Sequence, residues 1–176
     1  MLNITAPPDR FNSFLFGRFI TKLTQLQELH ITRSKLPMIG DSIFCPRDCS
    51  VCHSPIQVLN FSQNNIKFVR IKEFNCLNLL QVLDLSDNNM ETVPSAAFSN
   101  LANLSSLSLA RNKLDQLSPL IFHSLNNLVE LDLSDNPLLS ISNEIFKDVP
   151  NLRKLNLNDC QLTRIDSSSL NGNCFV

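Results

Sequence analysis

The sequence predicts a curved α/β repeat solenoid, with one short strand per turn in a parallel sheet on the concave face and irregular or short helical segments on the convex side. Two observations carry this prediction. Leu fills 30 of the 176 positions while Gly fills three and Trp and Tyr none, a bias of repetitive arrays rather than of one irregular core. Leucines also recur in register: Leu80, Leu104, Leu128 and Leu152 lie 24 residues apart, with Ile56 one period earlier.

The unit LQVLDLSDNNMETVPSAAFSNLAN from Leu80 places Leu80, Leu83, Leu85, Asn88, Met90, Val93, Phe98 and Leu101 in columns that its neighbours share. The next unit keeps Leu104, Leu107, Leu109, Asn112, Leu114, Leu117, Phe122 and Leu125. The one after keeps Leu128, Leu131, Leu133, Asn136, Leu138, Ile141, Phe146 and Val149. The L-x-L alternation turns every second side chain inward, so stacked strands have one packed and one wet face. Asn64, Asn88, Asn112 and Asn136 fall where the chain leaves each strand, and a buried amide there satisfies backbone groups of adjoining turns. Phe74, Phe98, Phe122 and Phe146 fall in the return segment, where stacked rings fill the wider half of each coil.

Six repeats start at Leu26, Ile56, Leu80, Leu104, Leu128 and Leu152, spanning residues 26–170. Residues 1–25 read as a degenerate or truncated repeat in which Pro7 and Pro8 stand in place of a strand, and residues 171–176 as a truncated end. Both ends look open, as in a piece of a longer array.

The first repeat runs 30 residues, and its surplus lies in a Cys-rich insertion at 45–55. Cys45 and Cys76 sit at nearly the same offset of adjacent coils, within disulfide reach. Cys49 and Cys52 then close on each other or exchange with that pair, since four cysteines allow three connectivities. The rival reading of Cys45, Cys49, Cys52 and His53 is a zinc site, and a redox role for Cys49 and Cys52 ranks lower because no βαβ unit frames them. Cys160 replaces Asn in the last repeat and reads as a free core thiol.

Lys and Arg total 15 against 16 Asp and Glu, so the net charge of −1 gives no reason to expect nucleic acid or an anionic membrane. No apolar run reaches the roughly 18 residues a membrane span needs. No Gly-rich phosphate loop, His/Glu metal pair or G-x-S-x-G is present, and His30, His53 and His123 sit on different repeats without a nucleophile beside them. Three glycines also imply few sharp turns to hold a strained active site. An enzyme, a cofactor and a metal are therefore not expected.

The outward strand positions are the candidate protein-binding residues. One column holds His30, Asn60, Asp84, Ser108, Asp132 and Asn156; another holds Arg33, Gln63, Asp87, Arg111, Asp135 and Asp159; Glu130 and Lys154 flank them. The later repeats lean acidic, which suits a basic patch on a partner. The plainer alternative is that L-D-L-S-D-N is a soluble way of writing strand and turn. The aspartates spread along an arc and offer no compact calcium cage. Three sequons, at Asn3, Asn60 and Asn103, are glycan acceptors if the protein is secreted, and a glycan on Asn60 would block part of the arc.

On these columns the chain resembles the leucine-rich-repeat family, in its 24-residue extracellular form, over residues 15–170. Within it, LQELHITRSKLPMIGDSIFCP, IQVLNFSQNNI and QVLDLSDNNM are similar to ectodomains of invertebrate Toll-type receptors. That resemblance implies a non-catalytic receptor segment that binds a protein ligand or partner receptor at the cell surface. Its signal peptide, membrane span and intracellular domain would lie outside this sequence. A secreted adhesion or matrix protein and an intracellular scaffold are the alternatives.

Overall fold

A computed structural model describes residues 1–5, 20–40, 43–44, 54–142 and 144–165. Seven strands form one parallel sheet in the order β1 (Leu2–Ile4), β2 (Glu28–Ile31), β3 (Val58–Asn60), β4 (Val82–Asp84), β5 (Ser106–Ser108), β6 (Glu130–Asp132) and β8 (Lys154–Asn156). The partners Leu59, Leu83, Leu107, Leu131 and Leu155 are in register, so each of these turns advances the chain by 24 residues. A second, two-stranded parallel sheet pairs β7 (Ser140–Ile141) with β9 (Arg164–Ile165).

β1 is an addition to the sequence reading. Leu2 pairs with Leu29, so the strand ahead of the first counted repeat lies upstream of Pro7 and Pro8 rather than at them. With Asn3 opposite His30, the first sequon joins the outward strand row.

Inward residues Leu29, Leu59, Leu83, Leu107 and Leu131 are fully buried, together with the second apolar column Ile31, Phe61, Leu85, Leu109 and Leu133. The Phe column closes the far side: Phe74 and Phe98 lie 5.8 Å apart, and Phe122 and Phe146 stack at 6.3 Å with planes 7° apart. Between strand and Phe the return segments run as successive three-residue turns, such as Ala97 N–H to Pro94 O and Leu101 N–H to Phe98 O.

The buried asparagines join the coils. Asn88 accepts the Ile66 N–H at its Oδ1 and donates from Nδ2 to the carbonyls of Phe61, Leu85 and Ser86. Asn64, Asn112 and Asn136 repeat the pattern. Each side chain thus satisfies at least one donor and one acceptor of the preceding coil as well as its own turn, and Asn64 takes two donors, the N–H groups of Ser34 and Leu36. A second, exposed asparagine ladder was not anticipated from the sequence. Asn103, Asn127 and Asn151 donate to the carbonyls of Asn78, Ala102 and Asn126 at 2.7, 2.8 and 2.7 Å.

The scarcity of glycine does not mean a scarcity of tight turns. Arg33, Gln63, Asp87, Arg111, Asp135 and Asp159 all adopt φ between 50° and 56°, one per repeat, directly before the asparagine column. The left-handed turn there is enforced by the coil-to-coil bonding around it, since only glycine adopts it without steric cost.

Candidate functional site

The strand register sets the candidate residues in rows. Asn3, His30, Asn60, Asp84, Ser108, Asp132 and Asn156 are successive partners across the sheet. Glu28, Val58, Val82, Ser106, Glu130 and Lys154 form the parallel row two residues earlier. Arg33, Gln63, Asp87, Arg111, Asp135 and Asp159 form a third at the left-handed turn. Side chains alternate across a strand, so the first two rows share the outer face while the leucines between them are buried.

Much of this polar surface also serves the backbone. The Oδ1 atoms of Asn60, Asp84, Asp132 and Asn156 accept the N–H two residues on, from Ser62, Ser86, Ser134 and Asn158, at 2.8 to 3.1 Å. Each residue thereby caps the strand exit, and its second polar atom faces outward. Asn and Asp do this equally, which accounts for their alternation in the row.

Charges pair along the rows rather than across them. Arg111 forks onto Asp87 at 2.8 and 2.9 Å, and the Arg111 guanidinium is raised above its usual value, chiefly by that bond. Lys154 Nζ lies 2.6 Å from Glu130. Arg33 Nε donates to Gln63 Oε1. His30 Nε2 is 3.9 Å from Glu28 and makes no hydrogen bond. Asp84, Asp132, Asp135 and Asp159 have no basic side chain in ion-pair range among the described residues.

Cys45, Cys49, Cys52 and the zinc alternative with His53 lie outside the described residues. Cys76 is buried and disulfide-bonded. Cys160 is a free thiol as expected, but half-buried rather than in the core; burial and neighbouring aspartates raise its pKa. Asn3 and Asn103 are exposed and Asn60 is half-buried. Among the described residues no helix is long and apolar enough to cross a membrane.

One residue that sequence reasoning passed over is Glu73, in the return segment of β3's repeat. It is 8% exposed; Oε2 accepts the Arg70 N–H at 2.8 Å while Oε1 has no partner. Burial lifts its carboxyl to about 7, against the opposing pull of the Arg70 N–H and charge. A glutamate three places before Cys76, directly ahead of the Phe column, is the signal the sequence offered.

This geometry, a parallel strand face stacked by a buried asparagine column, defines a leucine-rich-repeat solenoid. Family models agree: a leucine rich repeat model matches residues 79–138 and 127–173, and a BspA type leucine rich repeat region model of six copies matches residues 11–108. The chain belongs to the leucine-rich-repeat family. No curated protein matches it in sequence. Among solved structures, TLR13 in its complex with ssRNA13 matches with a TM-score of 0.71 and 26% identity over 92% of this chain. A leucine-rich-repeat protein of Leptospira interrogans matches with a TM-score of 0.74 and 27% identity over 88%. The chain spans 25% and 39% of the lengths of those two structures.

Proposed function

We propose that this chain is a non-catalytic protein-binding module, a segment of a receptor ectodomain that engages a protein ligand or co-receptor through its strand face. The observation that carries the reading is the outer face of the seven-stranded sheet: its rows of polar side chains are in register, and no other described segment packs over them. Leucine-rich-repeat domains typically bind proteins, and the likeness to TLR13 supports a receptor role at the cell surface.

The TLR13 structure holds single-stranded RNA. Here the carboxylates of Asp84, Asp132, Asp135 and Asp159, none in an ion pair among the described residues, repel phosphate, which favours a protein partner over nucleic acid. The bonded Cys76 suits an oxidising compartment, and Cys45 is its partner in this reading.

A photocrosslinking amino acid placed singly at Ser106, on the strand face, and at Ser99, in the return segment, tests the proposal in intact cells expressing the whole protein. Protein adducts from position 106 and none from 99, on a population labelled from outside the cell, are expected. Adducts from 99 alone, none from either, or a protein inaccessible from outside, would overturn it.

A further inference from the structure

We infer that the return turn over residues 70–75 is a pH-responsive latch in the second repeat, closed while the Glu73 carboxyl is neutral and loosened when it ionises. The inference goes beyond the protein-binding reading and does not depend on it.

Glu73 occupies a column that the neighbouring repeats fill with Ile43, Ala97, Ile121 and Ile145, all of them buried. A carboxyl therefore stands where the solenoid elsewhere places hydrocarbon. Its Oε2 accepts the Arg70 N–H at 2.8 Å, and Oε1 has no hydrogen-bond partner among the described residues. A single N–H offsets little of the hydration that a carboxylate gives up on burial, whereas a neutral carboxyl gives up much less. The packing suits the protonated form.

No compensating charge arrives from the adjoining coils. Residues 36–40 and 43–44 of the preceding repeat and 92–101 of the following one carry no charged or titratable side chain. In its own turn Arg70 supplies the opposing charge, Lys72 is exposed, and Cys76 is disulfide-bonded and does not titrate. Burial outweighs Arg70 and lifts the Glu73 carboxyl to about 7, which puts its ionisation near neutrality.

The turn has little else to hold it. Its Arg70 N–H is held by Glu73 itself, and the two backbone bonds within it are long, Glu73 N–H to Arg70 O at 3.2 Å and Asn75 N–H to Lys72 O at 3.4 Å. Ile71, Lys72 and Asn75 are exposed, so an ionised Glu73 reaches water by a local rotation of the turn rather than by unstacking of coils. Phe74, packed on Phe98 at 5.8 Å, and the bonded Cys76 anchor the trailing end and confine the movement. Departure of the carboxylate also deprives the Arg70 N–H of its acceptor. The second repeat thus tightens in mildly acidic surroundings and loosens above neutrality.

Amide hydrogen exchange in the isotope-labelled 176-residue chain tests this between pH 5.5 and 8, each rate divided by the unstructured-peptide rate at the same pH. Ala97 and Ser99, whose N–H groups make the counterparts of the Glu73 and Asn75 bonds one repeat on, are the internal control. Opening at Arg70, Glu73 and Asn75 is expected to rise about tenfold or more over this range while Ala97 and Ser99 stay level, since a carboxyl at about 7 in the closed turn returns to the ordinary 4.5 in the open one. Glu73→Gln, which keeps the acceptor for Arg70, and Glu73→Ile, which restores the residue of the column, are each expected to abolish the rise. No rise, an equal rise at Ala97 and Ser99, or a rise that survives in either folded variant would overturn the inference.

Discussion

The Cys160 thiol donates to the Leu133 carbonyl at 3.4 Å, in the place where Asn136, one repeat earlier, donates to the Leu109 carbonyl at 3.0 Å. The amide also accepts a backbone N–H and reaches two carbonyls of its own turn, whereas the sulfur bonds weakly, to the Leu133 carbonyl and the Asn136 backbone. Removing an amide therefore matters far more than lacking one at position 160. Asn112→Ala is expected to lower unfolding free energy by about 3 kcal/mol or more, since several buried backbone groups lose their partner at roughly 1–3 kcal/mol each. Cys160→Asn is expected to raise stability by less than about 1 kcal/mol. Urea unfolding of both variants checks the contrast, and equal effects would contradict it.

Glu73 makes stability depend on pH. Its folded-state pKa of about 7 lies above the ordinary 4.5, so the folded chain holds the proton more tightly than the unfolded one. Folding is then most favoured below pH 4.5, and the advantage is lost as pH rises through 7. At about 1.4 kcal/mol per unit the full loss is on the order of 3 kcal/mol. Glu73→Gln, which keeps the acceptor for the Arg70 N–H without a charge, should flatten this part of the profile. Thermal melts of both proteins between pH 5 and 8 measure the difference.

The stacked pair Phe122 and Phe146 bridges adjacent return segments, and Phe122 is fully buried. Phe122→Ala is expected to cost about 3–5 kcal/mol through lost burial and the cavity left behind. Arg111→Ala, which breaks a bidentate but exposed ion pair with Asp87, should cost less than about 1 kcal/mol. Chemical denaturation of the two variants ranks ring against ion pair.

Asn103 carries a sequon and donates one Nδ2 hydrogen to the Asn78 carbonyl at 2.7 Å. Glycosylation replaces one of the two amide hydrogens, so the ladder bond and a glycan are compatible. Secretion from glycosylating cells is expected to give occupied Asn103, with Asn103→Gln losing one glycan's mass in a mass spectrum and folding normally. An unmodified Asn103 in the secreted protein would refute this.

The repeating columns were legible because each turn makes the same demand: leucine inward at three positions, Asn at the strand exit, Phe in the return. What escaped was what the pattern does not constrain. β1 has no full consensus unit around Leu2–Ile4 and is recruited by its neighbour's open edge through the Leu2 and Leu29 pairing. The lateral ladder of Asn103, Asn127 and Asn151 was hidden because exposed asparagines in turns look ordinary until backbone carbonyls one coil away are in view. The rows of candidate binding residues were read correctly as rows, since alternation fixes which side chains share a face. That Asp84 and Asp132 double as backbone caps, while Ser108 leaves a gap between them, depends on register and side-chain reach. The charge balance of the face likewise follows from which ions neutralise each other, a matter of distance rather than composition.

The coil-to-coil bonds tie residue i to partners at fixed separations, as Ser105 N–H to Gln81 O and Val129 N–H to Ser105 O illustrate. A chain written this way is commensurate with itself. Excision of one whole period between Leu80 and Leu152 rejoins leucine to leucine and asparagine to asparagine, whereas loss of a single residue in the same stretch would throw every downstream column out of phase. Gene-level duplication or loss of whole turns can thus lengthen or shorten the arc without inventing a new core. Each such event would slide the carboxylate rows on either side of the join into new juxtapositions, changing what the face recognises while leaving the scaffold intact.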